Sequence, residues 1–395
     1  MNDEWISPRA DSKFFQTGNV NYDLITSLVS EIHEDLIDES NDGSILIFLP
    51  GVAEINKCVK LLNQNFSPPS VILPLHSALS PQEQHRVFET FPGKRKIVVS
   101  TNIAETSITI NDCVVTIDSG RVKSMSYNSI DNTTRLVEIF ESKAEAKQRR
   151  GRAGRVSNGK SYKLFTKETY DSMMDSPIPE IKRINLESLY LVVKSMGIKD
   201  VIAFLNTGMD PPPLNSLIKS EELLKCAGLV NEYDDLTELG KFISLLPIID
   251  PKHGKLLIFS IIFGCTDIGI LTASVLSVGS PFIKSADSRD EIKQTLSKTK
   301  DLGDLLSSVI IVDQYLKLHS PSEKKQFMNK NYLSFNKINE IKSAKTQYLS
   351  ILEDIGFLPL KYKEGQSHLN RNSSNYNVIK AIICGSFYPQ VARVQ

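Results

Sequence analysis

Ser44-Ile45-Leu46-Ile47-Phe48-Leu49 is an unbroken apolar run closed by Pro50-Gly51. A strand with one wet face alternates apolar and polar residues. A continuous run is what a strand buried on both faces requires. Outward from it, Val52–Asn63 has helical spacing, and Val71–Pro74, Lys96–Ser100, Cys113–Ile117 and Lys160–Phe165 are further short apolar runs. Ser80-Pro81-Gln82-Glu83 is a capping box with proline at the first helical position, and predicts a helix through Phe88. Buried strands alternating with helices predict an α/β layer on a parallel sheet over residues 1–166. Arg121–Phe140 breaks the alternation. It is polar around Ser129–Thr134 and partly alternating on either side, which predicts an antiparallel hairpin projecting from the sheet. A disordered surface loop is the competing reading.

Beyond Thr166 the pattern turns helical. Ile184–Met196 is amphipathic, Asp210-Pro211-Pro212-Pro213 punctuates the chain, and Leu214–Ala227 ends at Gly228. Leu229-Val230-Asn231 and Leu236-Thr237 suit a small strand pair, so a helical domain with a short wing is expected over 167–236. From Thr237 to about Leu352 the pattern is nearly all helical, broken at Gly279-Ser280-Pro281 and Ser320-Pro321. A polar linker (Glu364–Asn375) then precedes an apolar helix near Val378–Cys384.

The length of 395 residues predicts two to four domains. Lys+Arg and Asp+Glu are both 46, so net charge argues neither for nor against a nucleic-acid partner. The five cysteines form no C-x-x-C pair and lie near no histidine at metal spacing, so they read as reduced, buried thiols of an intracellular protein. The first residues, MNDEWISPRADSKFF, lack the apolar core of a secretory signal, and Leu256–Ile262 is too short to span a bilayer. A cytoplasmic protein without a membrane partner is expected, with the nucleus as the alternative.

Three segments carry candidate chemistry: Phe48-Leu49-Pro50-Gly51, Ser100–Ile110 (STNIAETSITI) and Gln148–Arg155 (QRRGRAGR). Ligands of open α/β sheets bind beyond the carboxyl ends of the strands, where the first two lie. Lys147–Arg155 holds five cationic side chains and no acid, so it needs solvent or an anion. Gly151 and Gly154 let a partner approach the backbone. Arg152 and Arg155, three apart, are expected on one side of a helical turn, a pairing suited to the charge of a phosphoryl-transfer transition state. The hydroxyls and amides of Ser100–Thr109 can bond phosphate oxygens without bulk.

In order and spacing these segments resemble motifs IV, V and VI of superfamily 2 helicases of the DEAH/RNA-helicase-A group. Leu73–Leu79 with Gln82–Phe88 resembles the stretch between motifs IV and V. Met209-Asp210-Pro211-Pro212, Leu236-Thr237, Leu239-Gly240 and Leu246-Pro247 resemble the family's winged-helix region and its join to the ratchet domain. Phe263-Gly264-Cys265 and Ser280-Pro281-Phe282 resemble the ratchet, and Tyr388-Pro389-Gln390-Val391-Ala392 the entry to an OB fold.

The resemblance implies an α/β RecA-like parallel-sheet domain (1–166, with the hairpin at 121–140), a winged-helix domain (167–236), an all-α ratchet domain (237–356), and a linker with the start of a truncated OB fold (357–395). It implies that Gln148, Arg152 and Arg155 face ATP phosphates as the catalytic wall, with Ser107 and Thr109 coupling nucleotide to RNA. Gly51, Thr101 and Asn102 would contact RNA, and the hairpin would wedge at its stack. Asn111 departs from the acidic residue many relatives carry near the attacking water, which puts such a role for it in doubt.

No D-E-x-H tetrapeptide occurs. A first RecA-like domain preceding residue 1 is therefore expected to hold the phosphate loop and most of the contacts to Mg²⁺. Gly154–Ser161 (GRVSNGKS) satisfies G-x-x-x-x-G-K-[ST] letter by letter, but the helix and strand around it come in the reverse of the order a phosphate loop needs.

The implied function is an ATP-dependent, 3′-to-5′ RNA helicase, acting on single-stranded RNA or a duplex with a single-stranded overhang. A protein activator is a further expected partner, and the chain alone is expected not to hydrolyse ATP. The alternatives are a non-enzymatic RNA- or protein-binding module and a DNA helicase.

Overall fold

The computed structural model describes residues 20–155, 158–246, 250–283, 289–297, 300–366 and 368–390. The chain divides into two compact units at Ile184/Asn185. This lies beyond the boundary expected at 166, because 167–184 fold back on the first unit. Lys143 donates its amide to Met174 O and its ammonium to Asp175.

The first unit contains α1 (Tyr22–Asp38), β1 (Ser44–Phe48), α2 (Val52–Asn65), β2 (Ser70–Leu75), α3 (Pro81–His85), β3 (Arg95–Ser100), α4 (Ile103–Thr106), β4 (Cys113–Asp118), β5 (Arg121–Asn128), β6 (Thr133–Phe140), α5 (Lys143–Arg150), β7 (Lys160–Lys163) and α6 (Lys167–Ser172). Five strands form a parallel sheet in the order β2-β3-β1-β4-β7. All five residues of β1 are buried. Ile45 and Ile47 join Ile97, Val99 and Ile117 in a core with α1 and α2, while Leu46 and Phe48 pack with Leu75, Val98 and Ala104 on the opposite face. Alternate residues point to opposite faces, so a strand covered on both must be apolar throughout.

The capping box at Ser80 is formed and opens α3, which passes into a 3₁₀ turn at Arg86–Phe88. The region 121–140 is a hairpin: β5 and β6 pair antiparallel from Arg121↔Phe140 to Asn128↔Thr133. The sequence reading passed over α1, whose buried Ile25, Val29, Ile32 and Leu36 recur at helical spacing.

Among its described residues the second unit is helical. One hydrophobic core takes Leu191 from Glu187–Ser195, Leu224 from Leu214–Cys226, Ile243 from Glu238–Ser244, Leu257 from Pro251–Ile262, Leu352 from Phe335–Asp354, and Ile379 and Ile382 from Tyr376–Phe387. That core runs across the boundaries expected at 236 and 356. The strand pair expected near 229–237 is a single antiparallel bridge, Val230↔Leu236. Gly240 seats a helix against that turn: a Cβ there would lie 2.0 Å from the Leu229 carbonyl oxygen. Residues 357–366 and 368–390 form turns and the last helix, with no strand among them; Val391 and Ala392 lie outside the described residues, as does Pro247.

Cys58, Cys113 and Cys265 are buried, and burial pushes the Cys58 and Cys113 thiols up to about 12. Cys226 and Cys384 are exposed, contrary to the expectation of five buried thiols, because each sits near a helix end that the core does not cover. Among the described residues no helix is long and apolar enough to cross a membrane.

Candidate functional site

Because the strands are parallel, β1, β3 and β4 deliver their following segments to one edge of the sheet. β3 leads into Thr101–Ile110, which forms the single turn α4. Thr101 is half-buried, its amide donating to Leu75 O at 3.1 Å, while Asn102 and Ser107 are exposed. β1 leads into Gly51, at the N-cap of α2. Gly51 has extended backbone, which any residue adopts, and the space beside it is filled by the ends of two flexible side chains. A Cβ would lie 2.6 Å from Lys123 Nζ and 2.8 Å from Glu54 Oε2. Lys123, on the hairpin, bridges to Glu54 at 2.8 Å and lies beside Gly51, which is buried.

Helix α5 opens on a second capping box. Ser142 Oγ accepts from the Glu145 amide at 3.2 Å, and Glu145 Oε2 accepts from the Ser142 amide at 2.7 Å. The helix stops at Arg150, and Gly154 takes φ +89°. Arg152 and Arg155 therefore lie in the turn after the helix, not on a helical face as the spacing suggested. A left-handed glycine ends helical geometry between them. They nevertheless converge on one segment. Arg152 Nη1 donates to Ile108 O at 3.4 Å, and Arg155 Nη1 donates to Thr109 Oγ1 at 2.8 Å. Arg152 is buried at 8% exposure and forms no ion pair among the described residues. Burial and the neighbouring Arg155 lower its pKa, against the opposing charge of Glu105. Gln148 and Arg155 are exposed, as is Asn111.

The residue that sequence reasoning missed is Arg149. It is 1% exposed and sits among three carboxylates: Nε is 2.6 Å from Glu105 Oε1 and 2.9 Å from Glu141 Oε2, and Nη1 is 2.8 Å from Asp118 Oδ1. The Phe48 ring lies beneath its guanidinium, 5.1 Å from centroid to Cζ. Burial disfavours the charge, but the carboxylates outweigh it and hold the pKa above the ordinary arginine value. Burial raises the pKa of Glu105, and that of Glu141 rises to about 10 through burial and the charge of Asp118. A signal existed in the spacing of Ala146 and Arg149, the two buried residues of α5.

Lys160 stands at the start of β7, ion-paired to Glu39 at 2.7 Å, with no helix following directly. Val156 and Ser157, inside the Gly154–Ser161 pattern, lie outside the described residues. Among the described residues no group of three or more His, Cys, Asp or Glu is placed to hold a metal ion.

Residues 25–157 match the helicase conserved C-terminal domain, and 250–308 match the ratchet-like helicase associated domain (HA2). The chain is 58% identical over 398 residues to a Saccharomyces cerevisiae protein named as an inferred ATP-dependent RNA helicase, covering 100% of this chain and 28% of that protein. It is 34% identical over 375 residues to a DExH-box ATP-dependent RNA helicase of Arabidopsis thaliana, covering 93% of this chain and 37% of that one. It is 35% identical over 388 residues to an ATP-dependent DNA/RNA helicase of Bos taurus, at 95% and 37% coverage. The chain thus spans well under half the length of these relatives.

Proposed function

The chain belongs to the DEAH-box group of superfamily 2 helicases, whose C-terminal region it matches, and from that premise we propose that it forms one wall of the ATP site and part of the RNA track of a 3′-to-5′ RNA helicase. The observation that carries the reading is the convergence of Arg152 and Arg155 on Ile108–Thr109, with Arg152 buried and lacking a carboxylate partner. Such a donor set fits the phosphates of ATP.

ATP, when bound, supplies the γ-phosphoryl group that is transferred to water. Arg152 and Arg155 bring fixed positive charge to the oxygens where negative charge spreads, and Gln148 stands beside them on α5. Ser107 and Thr109 couple this wall to Thr101 and Asn102, which contact RNA, with Gly51 at the track's edge. In this reading Mg²⁺ is held mainly by a first RecA-like domain. In the same reading 167–236 is a winged-helix domain, 237–356 the ratchet and 357–395 the entry to an OB fold, and the hairpin wedges at the RNA stack.

The test fuses this chain behind the upstream portion of the 58%-identical yeast relative and follows RNA-stimulated ATP turnover and RNA affinity. Arg152→Ala or Arg155→Ala lowers turnover on the order of 10³-fold or more while RNA affinity is largely kept. Thr101→Ala with Asn102→Ala loses RNA affinity first. Arginine variants that weaken RNA binding alone would end this division of roles. Competition between RNA and DNA of one sequence decides the nucleic acid.

A further inference from the structure

The cluster around Arg149 holds more negative charge than its one cation can balance. Glu105, Asp118 and Glu141 have side chains 7%, 2% and 0% exposed. Three ionised carboxylates around one guanidinium would leave two uncompensated charges out of water, a large desolvation penalty.

The hydrogen bonds show where the excess lies. The single N–H on Arg149 Nε is donated to Glu105. Asp118 Oδ1 accepts twice, from Arg149 Nη1 at 2.8 Å and from the Gly120 amide at 2.9 Å. What remains is Asp118 Oδ2 and both oxygens of Glu141, all buried and all without a hydrogen-bond partner among the described residues. Glu141 Oε2 lies 2.9 Å from Arg149 Nε, but that nitrogen has no second proton to give. Asp118 and Glu141 lie within hydrogen-bonding reach of each other, so with both ionised their orphaned oxygens face one another as acceptors, which is unfavourable. One proton relieves two of them: on Glu141 it removes a charge, turns one orphan oxygen into a donor, and gives Asp118 Oδ2 its missing bond, leaving only the uncharged carbonyl oxygen of Glu141 unpaired.

We infer that Glu141 is a neutral carboxylic acid at pH 7, sharing its proton with Asp118, and that this buried proton sets the position of Arg149 and with it the helix that presents Gln148 and the following arginines. The chain topology gives the proton its reach. Asp118 ends β4 and leads into the hairpin, Glu141 lies between β6 and α5, and Glu105 stands on α4. Glu141 also donates its amide to Gly120 O at 2.9 Å, closing the hairpin's base, and Arg149 Nη1 reaches Arg121 O at 3.3 Å. The other charges acting on the cluster are Glu145 of α5 and Arg152 of the following turn, both felt through Glu105. Both ends of the hairpin, α4 and α5 thus meet at one proton. Glu141 is a positioning residue. Its link to catalysis rests on the arginine-wall reading, whereas the proton itself does not.

Linkage gives the sign. The pKa of Glu141 rises from 4.5 to about 10 in the folded protein. The stabilisation from its protonation is complete below about 4.5 and is lost progressively as pH rises toward 10. Through that window folding takes up one proton, so the folding equilibrium falls tenfold per pH unit from this group alone. Glutamine mimics the neutral acid, with an amide N–H for Asp118 and nothing to titrate.

Guanidinium unfolding of the whole chain from pH 6 to pH 9 compares wild type with Glu141→Gln. The folding constant of the variant, divided by that of wild type, climbs about tenfold per pH unit. A ratio flat with pH, with the variant less stable throughout, means an ionised Glu141 paired to Arg149 and overturns the proton. Should the variant not fold, infrared spectra of the wild-type chain at pH 8 decide. A protonated-carboxyl carbonyl band is expected, and its absence overturns the inference. In the helicase fusion, wild-type ATP turnover drops as pH approaches 10, and the Gln variant removes that drop. An unchanged pH profile overturns the positioning role and leaves Arg152 and Arg155 to their own test.

Discussion

Lys160 shows how far letters can mislead at the scale of a residue. Gly154–Ser161 spells a phosphate loop, but a working loop aims the free amides of a helix N-terminus at its anion. Lys160 instead begins a strand and is held by Glu39. Lys160→Ala therefore leaves ATP turnover of the helicase fusion within a few-fold of wild type. A complete loss would make this lysine a phosphate ligand and undo the assignment of the neighbouring arginines. The reversed order of helix and strand was legible in the sequence. The division of labour among the cations of Lys147–Arg155 was not. Like charges in a row read as one patch, yet Arg149 turns inward to carboxylates drawn from three separate segments. Glu105, Asp118 and Glu141 are individually ordinary acids, and only the folded chain reveals that they share a partner.

Among elements, the most legible were those with strong local codes. The strands announced themselves as apolar runs because both faces are covered, and the capping box at Ser80 fixed where α3 begins. The hairpin followed from its broken alternation and polar tip. Helix α1 was overlooked since its four buried residues are diluted by charged ones, and the expected strand pair near 229–237 shrank to one bridge. The cap of α5 is open to direct measurement. Ser142→Ala removes one side of the reciprocal pair with Glu145, at a loss of about 1 kcal/mol. Amide exchange across Ala146–Arg150 should quicken about fivefold, the same free energy expressed as an opening equilibrium. Unaltered exchange would show that the helix is held by Arg149 and not by its cap.

For the molecule as a whole, the even balance of charge concealed function, since 46 basic and 46 acidic residues cancel while the cations of the site are concentrated locally. An RNA track made of backbone contacts on a single strand should give a log–log salt slope near −0.7 per phosphate neutralised. Binding of single-stranded RNA by this chain, titrated between low and physiological salt, is expected to be weak and to fall steadily. Salt-independent binding would speak for stacking or a protein-type interface instead. Composition shifts near 166, but the folded unit keeps residues to 184, and one helical core spans what reads as three segments. The strand order β2-β3-β1-β4-β7 has a further outcome, one of timing. β1 is central and wholly buried, yet its two neighbours are β3 and β4, and the chain from residue 48 to residue 118 must be made before both are present. At the pace of protein synthesis that interval is roughly 4 to 14 seconds. During it the nascent chain carries an unpaired, sticky strand. This unit should depend on chaperones during translation and refold sluggishly from denaturant, as non-local parallel pairing generally does.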